Sequence, residues 1–210
     1  MSPEYPAVAS MPSSGRPSAD RSRSPVRAAN WRLVHRKNMR MDVTASAPNL
    51  ADAEEFIEAV RASRPLHHPW IDPPGTPERF AAYLDRAAAP DQASYLIRHR
   101  SCGGLVGYVN ISNIVRGAFQ SGYLGYAAFA AHAGRGLMTE GLRAVIASAF
   151  GDLGLHRLEA NIQPANHPSI SLVRRLGFEK EGFSPRYLLI DGDWRDHERW
   201  ALRSETWSHP

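Results

Sequence analysis

A change of hydrophobic period around two glycines constrains this fold more than any other feature of the sequence. Residues 121–129, SGYLGYAAF, have the pattern of a strand, and a helical pattern follows shortly after them. Gly134, Arg135 and Gly136 lie between the two patterns. The helical stripe is formed by Met138, Leu142, Val145, Ile146, Ala149 and Phe150. The sequence therefore predicts a strand that turns through two glycines into a helix.

This turn is a candidate anion site. Glycine lets the backbone approach a ligand closely, and the first amides of a helix have no partners within it. With the helix dipole those amides can hold a phosphate, and Arg135 adds a positive charge. The turn is not a nucleoside-triphosphate loop, because GxxxxGK[ST] is absent, nor a dinucleotide fingerprint, because Thr139 stands where a third glycine is needed. A turn that binds no ligand has the same local pattern, so that alternative stays open.

Helical and strand patterns continue along the chain. Helices are predicted at 49–63, at 76–88 with Thr76 as N-cap and at 167–177 with Gly177 as C-cap, with an irregular connection at 66–75. Strands are predicted within 31–43 and at 93–100, 105–115, 121–129 and 156–163, with a hairpin over 183–202 that turns at Asp191-Gly192. The predicted fold class is α/β (α+β), with a mixed, mostly antiparallel sheet flanked by helices.

Length and composition indicate one domain over residues 31–207. The chain has 210 residues, 43% of them hydrophobic, which is enough for a core. Residues 1–30 are rich in Pro, Ser, Ala and Arg, and we expect a disordered extension there. We also expect a cytoplasmic protein without membrane contact, because the sequence has neither a bilayer-spanning apolar run nor the apolar stretch of a signal peptide. Cys102 is the only cysteine, so we expect neither disulfides nor a metal.

The formal net charge is +4, and nearly all of the positive charge is arginine, since Lys37 and Lys180 are the only lysines. Codon usage biased toward arginine explains this most simply. A surface that attracts a phosphate-rich ligand or an RNA-bearing partner is the alternative. Neither explanation requires a specific nucleic-acid site.

Three segments together resemble the GNAT N-acetyltransferases: GYLGYAAFAAHAGRGLMTEGL (122–142), LEANIQ (158–163) and NHPSISLVRRLGFEKEGF (166–183). In that family the glycine turn binds the diphosphate of acetyl-CoA, and an Asn-x-x-Ser motif, here Asn166 and Ser169, precedes Leu-Gly-Phe, here residues 176–178. The segments NISNIVRGAF (110–119) and FEKEGFSPRYLLIDGDWRDH (178–197) are similar to the RimJ-like branch, which acetylates the N-terminal alanine of ribosomal proteins. The resemblance covers about residues 50–205 and implies the GNAT fold.

Three positions depart from the family's pattern. Ala133 begins the turn where Gln or Arg is usual, and Met138 stands where Gly or Ala is usual. Val173 occupies the place of a tyrosine that serves many relatives as general acid. The main-chain amides of the turn are unaffected, but the acid must come from elsewhere.

The resemblance implies a site for acetyl-CoA as co-substrate. Main-chain groups of Tyr126, Ala127 and Ala128 would pair with the pantetheine arm, and one of their amides would polarise the acetyl oxygen. Asn166 would contact pantetheine or the acceptor, and Ser169 would hydrogen-bond the departing thiolate; either residue could instead cap its helix. The diphosphate would be held by Gly134, Arg135, Gly136, Leu137 and Met138.

The general base is harder to assign. Glu159 lies on the strand that borders the acceptor cleft and is our candidate, although it could instead pair with Arg157; Glu140 is expected to be exposed. At pH 7 an α-amino group of pKa about 7.7–8.0 loses its proton at a cost of roughly 1–1.4 kcal/mol, against roughly 4.6 kcal/mol for lysine. A site without a strong base therefore favours an α-amine, although amine-bearing antibiotics fit as well.

The expected function is transfer of acetyl from acetyl-CoA to the N-terminal α-amine of a protein, with a ribosomal-protein alanine favoured. An acetyltransferase for a small amine such as an antibiotic, and a non-catalytic acyl-CoA-binding regulator, are the alternatives. A homodimer is compatible with the sequence. The acceptor would be contacted by Trp70, Asn110, Asn113 and Tyr187, each of which could instead have a purely structural role.

Overall fold

The computed structural model describes residues 41–208, which form a seven-stranded sheet flanked by helices. The expected extension over 1–30 and residues 31–40 of the predicted first strand lie outside this range, and the first strand begins only at Val43. In chain order the strands are β1 Val43–Ser46, β2 Ala93–His99, β3 Leu105–Val115, β4 Ser121–Ala128, β5 Arg157–Ile162, β6 Glu179–Ile190 and β7 Asp193–Arg203.

The sheet order is β1-β2-β3-β4-β5-β7-β6, and every neighbouring pair is antiparallel except β4 and β5. The predicted meander of β2, β3 and β4 is confirmed, as is the turn of the β6–β7 hairpin at Asp191 and Gly192, which both have positive φ. A register shift between Ser184 and Leu188 interrupts β6, where Arg186 also has positive φ. The mixed, mostly antiparallel sheet is the one that the sequence predicts.

Two layers of helices cover the sheet. On one face, α1 (Ala53–Ala62) and α3 (Pro77–Ala87) pack a cluster that includes Phe56, Phe80, Tyr83, Leu96 and Tyr108. Thr76 caps α3 as predicted, since its Oγ1 accepts from the Arg79 amide. On the other face, α4 (Leu137–Gly151) and α5 (His167–Arg175) pack the larger cluster, which includes Leu142, Val145, Ile146, Leu158 and Val173.

The connection between α1 and α3 differs from the prediction. The irregular stretch expected over 66–75 begins with residues that belong to a one-turn helix, α2 (Arg64–His67). His67 is buried, with only 4% of its surface exposed. The rest of the connection runs irregularly to Thr76, as expected.

β4 and β5 separate soon after they begin. Only residues 121–123 of β4 pair with residues 157–159 of β5. Beyond them β4 pairs only with β3 and β5 only with β7. The two strands therefore open a wedge, and α4 begins a few residues after the open end of β4. Within residues 41–208 no helix is long and apolar enough to cross a bilayer.

Candidate active site

The glycine turn owes its shape to two left-handed residues. Gly134 has φ 75° and Gly136, the N-cap of α4, has φ 81°. A Cβ at either position would meet no atom within 4 Å, so these sites need glycine for the backbone conformation and not for space. The conformation aims the chain from β4 into α4 as the sequence predicts.

The turn offers a row of unoccupied main-chain donors. Among residues 41–208, the amides of residues 134–138 donate no hydrogen bond to another main-chain group. The amides of Thr139 and Glu140 fold back onto the Gly136 carbonyl at 2.9 and 3.2 Å. Successive free amides at the head of a fifteen-residue helix suit a diphosphate, since each donor and the helix dipole favour negative charge.

Basic side chains flank the turn. Arg135 Nη1 lies 3.2 Å from His132 Nδ1, and the His132 ring stacks on His99 with 5.5 Å between centroids. Partial burial, and then the neighbouring Arg135 and His99, lower the pKa of His132. The cation that the sequence assigns to this turn is therefore Arg135.

The open end of β4 is held by a histidine. The Phe129 amide donates to Val106 on β3, whereas the Ala128 carbonyl accepts a hydrogen bond from His67 Nε2 at 2.8 Å. Burial lowers the pKa of His67, so the ring is neutral at pH 7 and carries its proton on Nε2. The Ala128 carbonyl is thus occupied, while its amide remains for a ligand. No local pattern in the sequence predicts this contact, because 61 residues separate its two partners.

The second signature brings Ser169 to β4. Asn166 is the N-cap of α5, where its Oδ1 accepts from the Ser169 amide at 3.2 Å. The Ser169 hydroxyl is left free of capping and lies 2.6 Å from the Tyr126 hydroxyl. Burial raises the pKa of Tyr126 to about 12, so the phenol keeps its proton. Only a main-chain role is predicted for Tyr126 from the sequence, although the strand alternation of Leu124, Tyr126 and Ala128 indicates that its side chain faces α5.

A family model described as an acetyltransferase (GNAT) domain matches residues 43–179. The chain belongs to the GNAT acetyltransferase family. The probable N-acetyltransferase YjcK of Bacillus subtilis is 33% identical over 165 residues, 77% of this chain and 90% of that protein. The [ribosomal protein uS5]-alanine N-acetyltransferase of Escherichia coli is 47% identical over 104 residues, 50% of this chain and 54% of that protein.

Solved structures agree with this family. Mycobacterium smegmatis RimJ in complex with CoA-disulfide has a TM-score of 0.71 at 27% identity, covering 78% of this chain and 82% of that one. A ribosomal-protein-S5-alanine acetyltransferase from Vibrio fischeri has a TM-score of 0.70 at 26% identity, covering 80% and 96%. The fold is therefore the GNAT fold, the chain lies in its RimJ-like branch, and it is an acetyl-CoA-dependent N-acetyltransferase.

In this GNAT domain the acidic candidates are already engaged. Glu159 accepts from Arg157 Nε at 2.9 Å, and Arg157 also pairs with Glu181. The hydrogen bonds that Arg157 donates lower the pKa of Glu181, and the bonds it donates to Glu181 and Glu159 raise its own pKa. Glu140, expected to be exposed, is half-buried and accepts from the Asp42 amide at 2.9 Å. Val173 is fully buried in the core, where an apolar side chain fits.

The expected acceptor residues are dispersed around the wedge. The Trp70 carbonyl accepts from Gln163 Nε2 just past β5, at 3.2 Å. Tyr187 hydrogen-bonds Tyr123 of β4, and Asn110 lines a cavity on the α1–α3 face. Asn113 is exposed with positive φ and does not line that cavity. The structure therefore places the four residues on different elements, and their contact with an acceptor stays a prediction.

Two further observations concern groups outside the prediction. Asn161 lies on β5 beyond its last residue paired with β4, and its Oδ1 is buried with no hydrogen-bond partner in the described part of the chain. Within residues 41–208, no three His, Cys, Asp or Glu side chains come together as metal ligands.

Proposed function

We propose that this enzyme transfers the acetyl group of acetyl-CoA to the N-terminal α-amine of a protein, with the alanine of a ribosomal protein as the favoured acceptor. The observation that carries this proposal is the wedge between β4 and β5, which opens beside the free amides of residues 134–138. The 47% identity with the E. coli uS5-alanine enzyme supports the choice of acceptor over half of the chain.

The turn and β4 would bind and orient the thioester. The amides of residues 134–138 hold the diphosphate, and main-chain groups of Tyr126 and Ala128 pair with the pantetheine arm, whereas those of Ala127 lie on the β3 side of the strand. Because His67 occupies the Ala128 carbonyl, the contribution of that residue is its amide, which can polarise the acetyl oxygen.

In the transfer, the nitrogen of the neutral amine forms a bond to the acetyl carbon, the carbon–sulfur bond breaks, and the sulfur leaves as a thiolate, which takes up the proton that the nitrogen loses in becoming an amide. Ser169 is our candidate to donate a hydrogen bond to that thiolate. The Tyr126 phenol can donate to the Ser169 hydroxyl, which leaves the serine's own proton for the sulfur. Tyr126 thus supports the hydrogen bond predicted from Ser169 to the thiolate. With this pair, α5 needs no tyrosine at the position of Val173 to act as general acid.

The acceptor amine must lose a proton before it can attack. Neither of the two carboxylates considered as general base is free to accept that proton. Glu159 is tied to Arg157, and Glu140 accepts from the Asp42 amide. An α-amine needs roughly 1–1.4 kcal/mol to deprotonate at pH 7, so it suits such a site better than lysine, which needs roughly 4.6 kcal/mol. Glu159, freed from Arg157, would be the remaining base.

Initial rates of acetyl-CoA consumption test this proposal. We expect turnover with peptides that begin with alanine and little with spermidine, an aminoglycoside or the same peptides with a blocked N-terminus. Turnover confined to small amines would favour the small-amine alternative. Tight acetyl-CoA binding without turnover on any amine would favour a regulator.

A further inference from the structure

A cavity of about 310 Å³ lies on the α1–α3 face of the sheet, beside the open wedge. Its floor includes Asn110 and Ser112 of β3 and Gly125 of β4, and one wall is Tyr83 and Arg86 of α3. Gly125 is two residues past the last β4 residue that pairs with β5, so the cavity reaches the strand segment where the acetyl group is expected. An acceptor that reaches the wedge from this face would extend over the cavity.

The lining is rich in hydrogen-bond donors. The Tyr83 hydroxyl donates to Asn110 Oδ1 at 3.0 Å, which leaves the Asn110 amide hydrogens for a ligand. Ser94 and Ser112 add hydroxyl groups. Burial raises the pKa of Tyr83 to about 12, so the phenol keeps its proton and this arrangement persists across the physiological range.

The charge of the residues that line the cavity is positive. Among the described residues that line the cavity, Arg86 is the only charged one and none is a carboxylate. The Arg86 charge acts on the Tyr83 hydroxyl, which places the guanidinium close to that wall. A cationic amine would find neither a carboxylate nor a surplus of acceptors here, whereas peptide carbonyls and carboxylates would find donors.

We propose that this cavity binds the residues that follow the N-terminal amine of the acceptor peptide, through their carbonyl oxygens and acidic side chains. The inference rests on the proposed function and adds a second element of specificity to it. The α-amine enters the wedge, and the third and fourth residues of the peptide reach the donors of the cavity. Polycationic amines are disfavoured by Arg86 and by the absence of a carboxylate in the lining.

The first test compares two peptides that begin with the same alanine and carry either acidic or basic residues at positions 3 and 4. We expect kcat/KM to be about fivefold higher for the acidic peptide, the size of one partly exposed charge pair. Arg86→Glu should reverse this preference. Arg175→Glu is the matched control, because Arg175 is also exposed in the last turn of its helix but lies on α5, over the other face, and it should keep the wild-type preference.

The second test fills the cavity without disturbing the protein. A Cβ at Gly125 meets no atom within 4 Å, so Gly125→Val should fold and place its side chain over the cavity floor. We expect the peptide KM to rise about tenfold, the loss of one or two hydrogen bonds, while acetyl-CoA affinity measured by calorimetry stays within twofold. Gly151→Val, at the equally open end of α4, is the control and should leave the peptide KM unchanged.

The outcomes separate this inference from the proposed function. If the wild-type enzyme acetylates no peptide, the proposed function fails. If it acetylates both peptides equally, and neither Arg86→Glu nor Gly125→Val changes the peptide KM, the cavity does not bind the acceptor and the inference is overturned while the proposed function stands.

Discussion

At the scale of single residues, the hydroxyl pair of Tyr126 and Ser169 is the feature that the account depends on most. Their oxygens lie 2.6 Å apart, on elements that meet only through the fold. Ser169 was a candidate through the family's Asn-x-x-Ser motif, and its role stays a prediction, whereas Asn166 is the N-cap of its helix. The tyrosine could not be predicted from spacing, because 43 residues separate it from Ser169.

Replacing Tyr126 with phenylalanine removes both hydrogen bonds between its hydroxyl and Ser169, one to the Ser169 hydroxyl at 2.6 Å and one to the Ser169 carbonyl at 3.3 Å. We expect kcat to fall about tenfold, the value of a hydrogen bond to a group bearing charge in the transition state, with the KM for acetyl-CoA within twofold. Ser169→Ala should lower kcat further, and the double variant should be little slower than Ser169→Ala alone, because the two residues act in series. Additive losses in steady-state kinetics would contradict the relay.

His67 gives a prediction for stability. Burial lowers the pKa of His67, so near pH 6 the unfolded chain binds more protons at this ring than the folded protein does. The free energy of unfolding should therefore fall as the pH drops below about 6.5. In His67→Gln, whose Nε2 can still donate to Ala128, the melting temperature should depend less on pH between 7 and 5.5.

Buried His197 provides the background for that comparison. Burial also lowers the pKa of His197, and this residue is present in both the wild type and the His67→Gln variant. The difference between the two melting curves therefore isolates His67. Equal pH dependence of the two would show that His67 is not buried as the neutral ring.

At the scale of elements, prediction succeeded where the signal was local. The stripe of α4, the Thr76 cap and the Asp191-Gly192 turn all lie within a few residues of the element they define. The helical turn Arg64–His67 was not predicted, and its last residue is held by a contact to β4. Periodicity reports only on neighbours in sequence, so an element stabilised by distant residues escapes it.

The turn before α4 has a direct test. Gly136→Ala forces a residue with a Cβ into φ 81°, at a cost of about 1–2 kcal/mol. Relief of that strain rotates the amides of the turn, so we expect the Kd for acetyl-CoA to rise at least tenfold and the melting temperature to fall. Gly151→Ala, at the helical end of α4, should bind acetyl-CoA like the wild type. Unchanged binding in both variants by calorimetry would refute the role of the amides.

At the scale of the whole molecule, the order of helical and strand patterns along the sequence predicted the fold class, but it did not predict the wedge between β4 and β5. The sequences of β4 and β5 have the usual alternation of apolar and polar residues. Nothing in that alternation shows that the pairing between the two strands stops after Tyr123 and Glu159. Only the register of the sheet shows where their pairing ends. Alternation did place Glu159 on the same face as Arg157, and the structure joins the two as an ion pair.

Ligand binding should stabilise the whole domain. At a hundredfold excess over its Kd, acetyl-CoA adds about 2.7 kcal/mol to the free energy of unfolding. For a domain of this size that raises the melting temperature by roughly 5–10 °C. CoA should act similarly because it carries the same diphosphate, and pantetheine much less. Equal stabilisation by pantetheine in scanning calorimetry would mean that the turn does not hold the diphosphate.

The most direct test of the central claim is tandem mass spectrometry of a peptide with an N-terminal alanine and an internal lysine, after incubation with the enzyme and acetyl-CoA. The account predicts a single acetyl group on the α-amine, and its loss when Gly136→Ala replaces the wild type at limiting acetyl-CoA. Acetylation of the lysine with the α-amine left free, or no acetylation of any peptide, would contradict it.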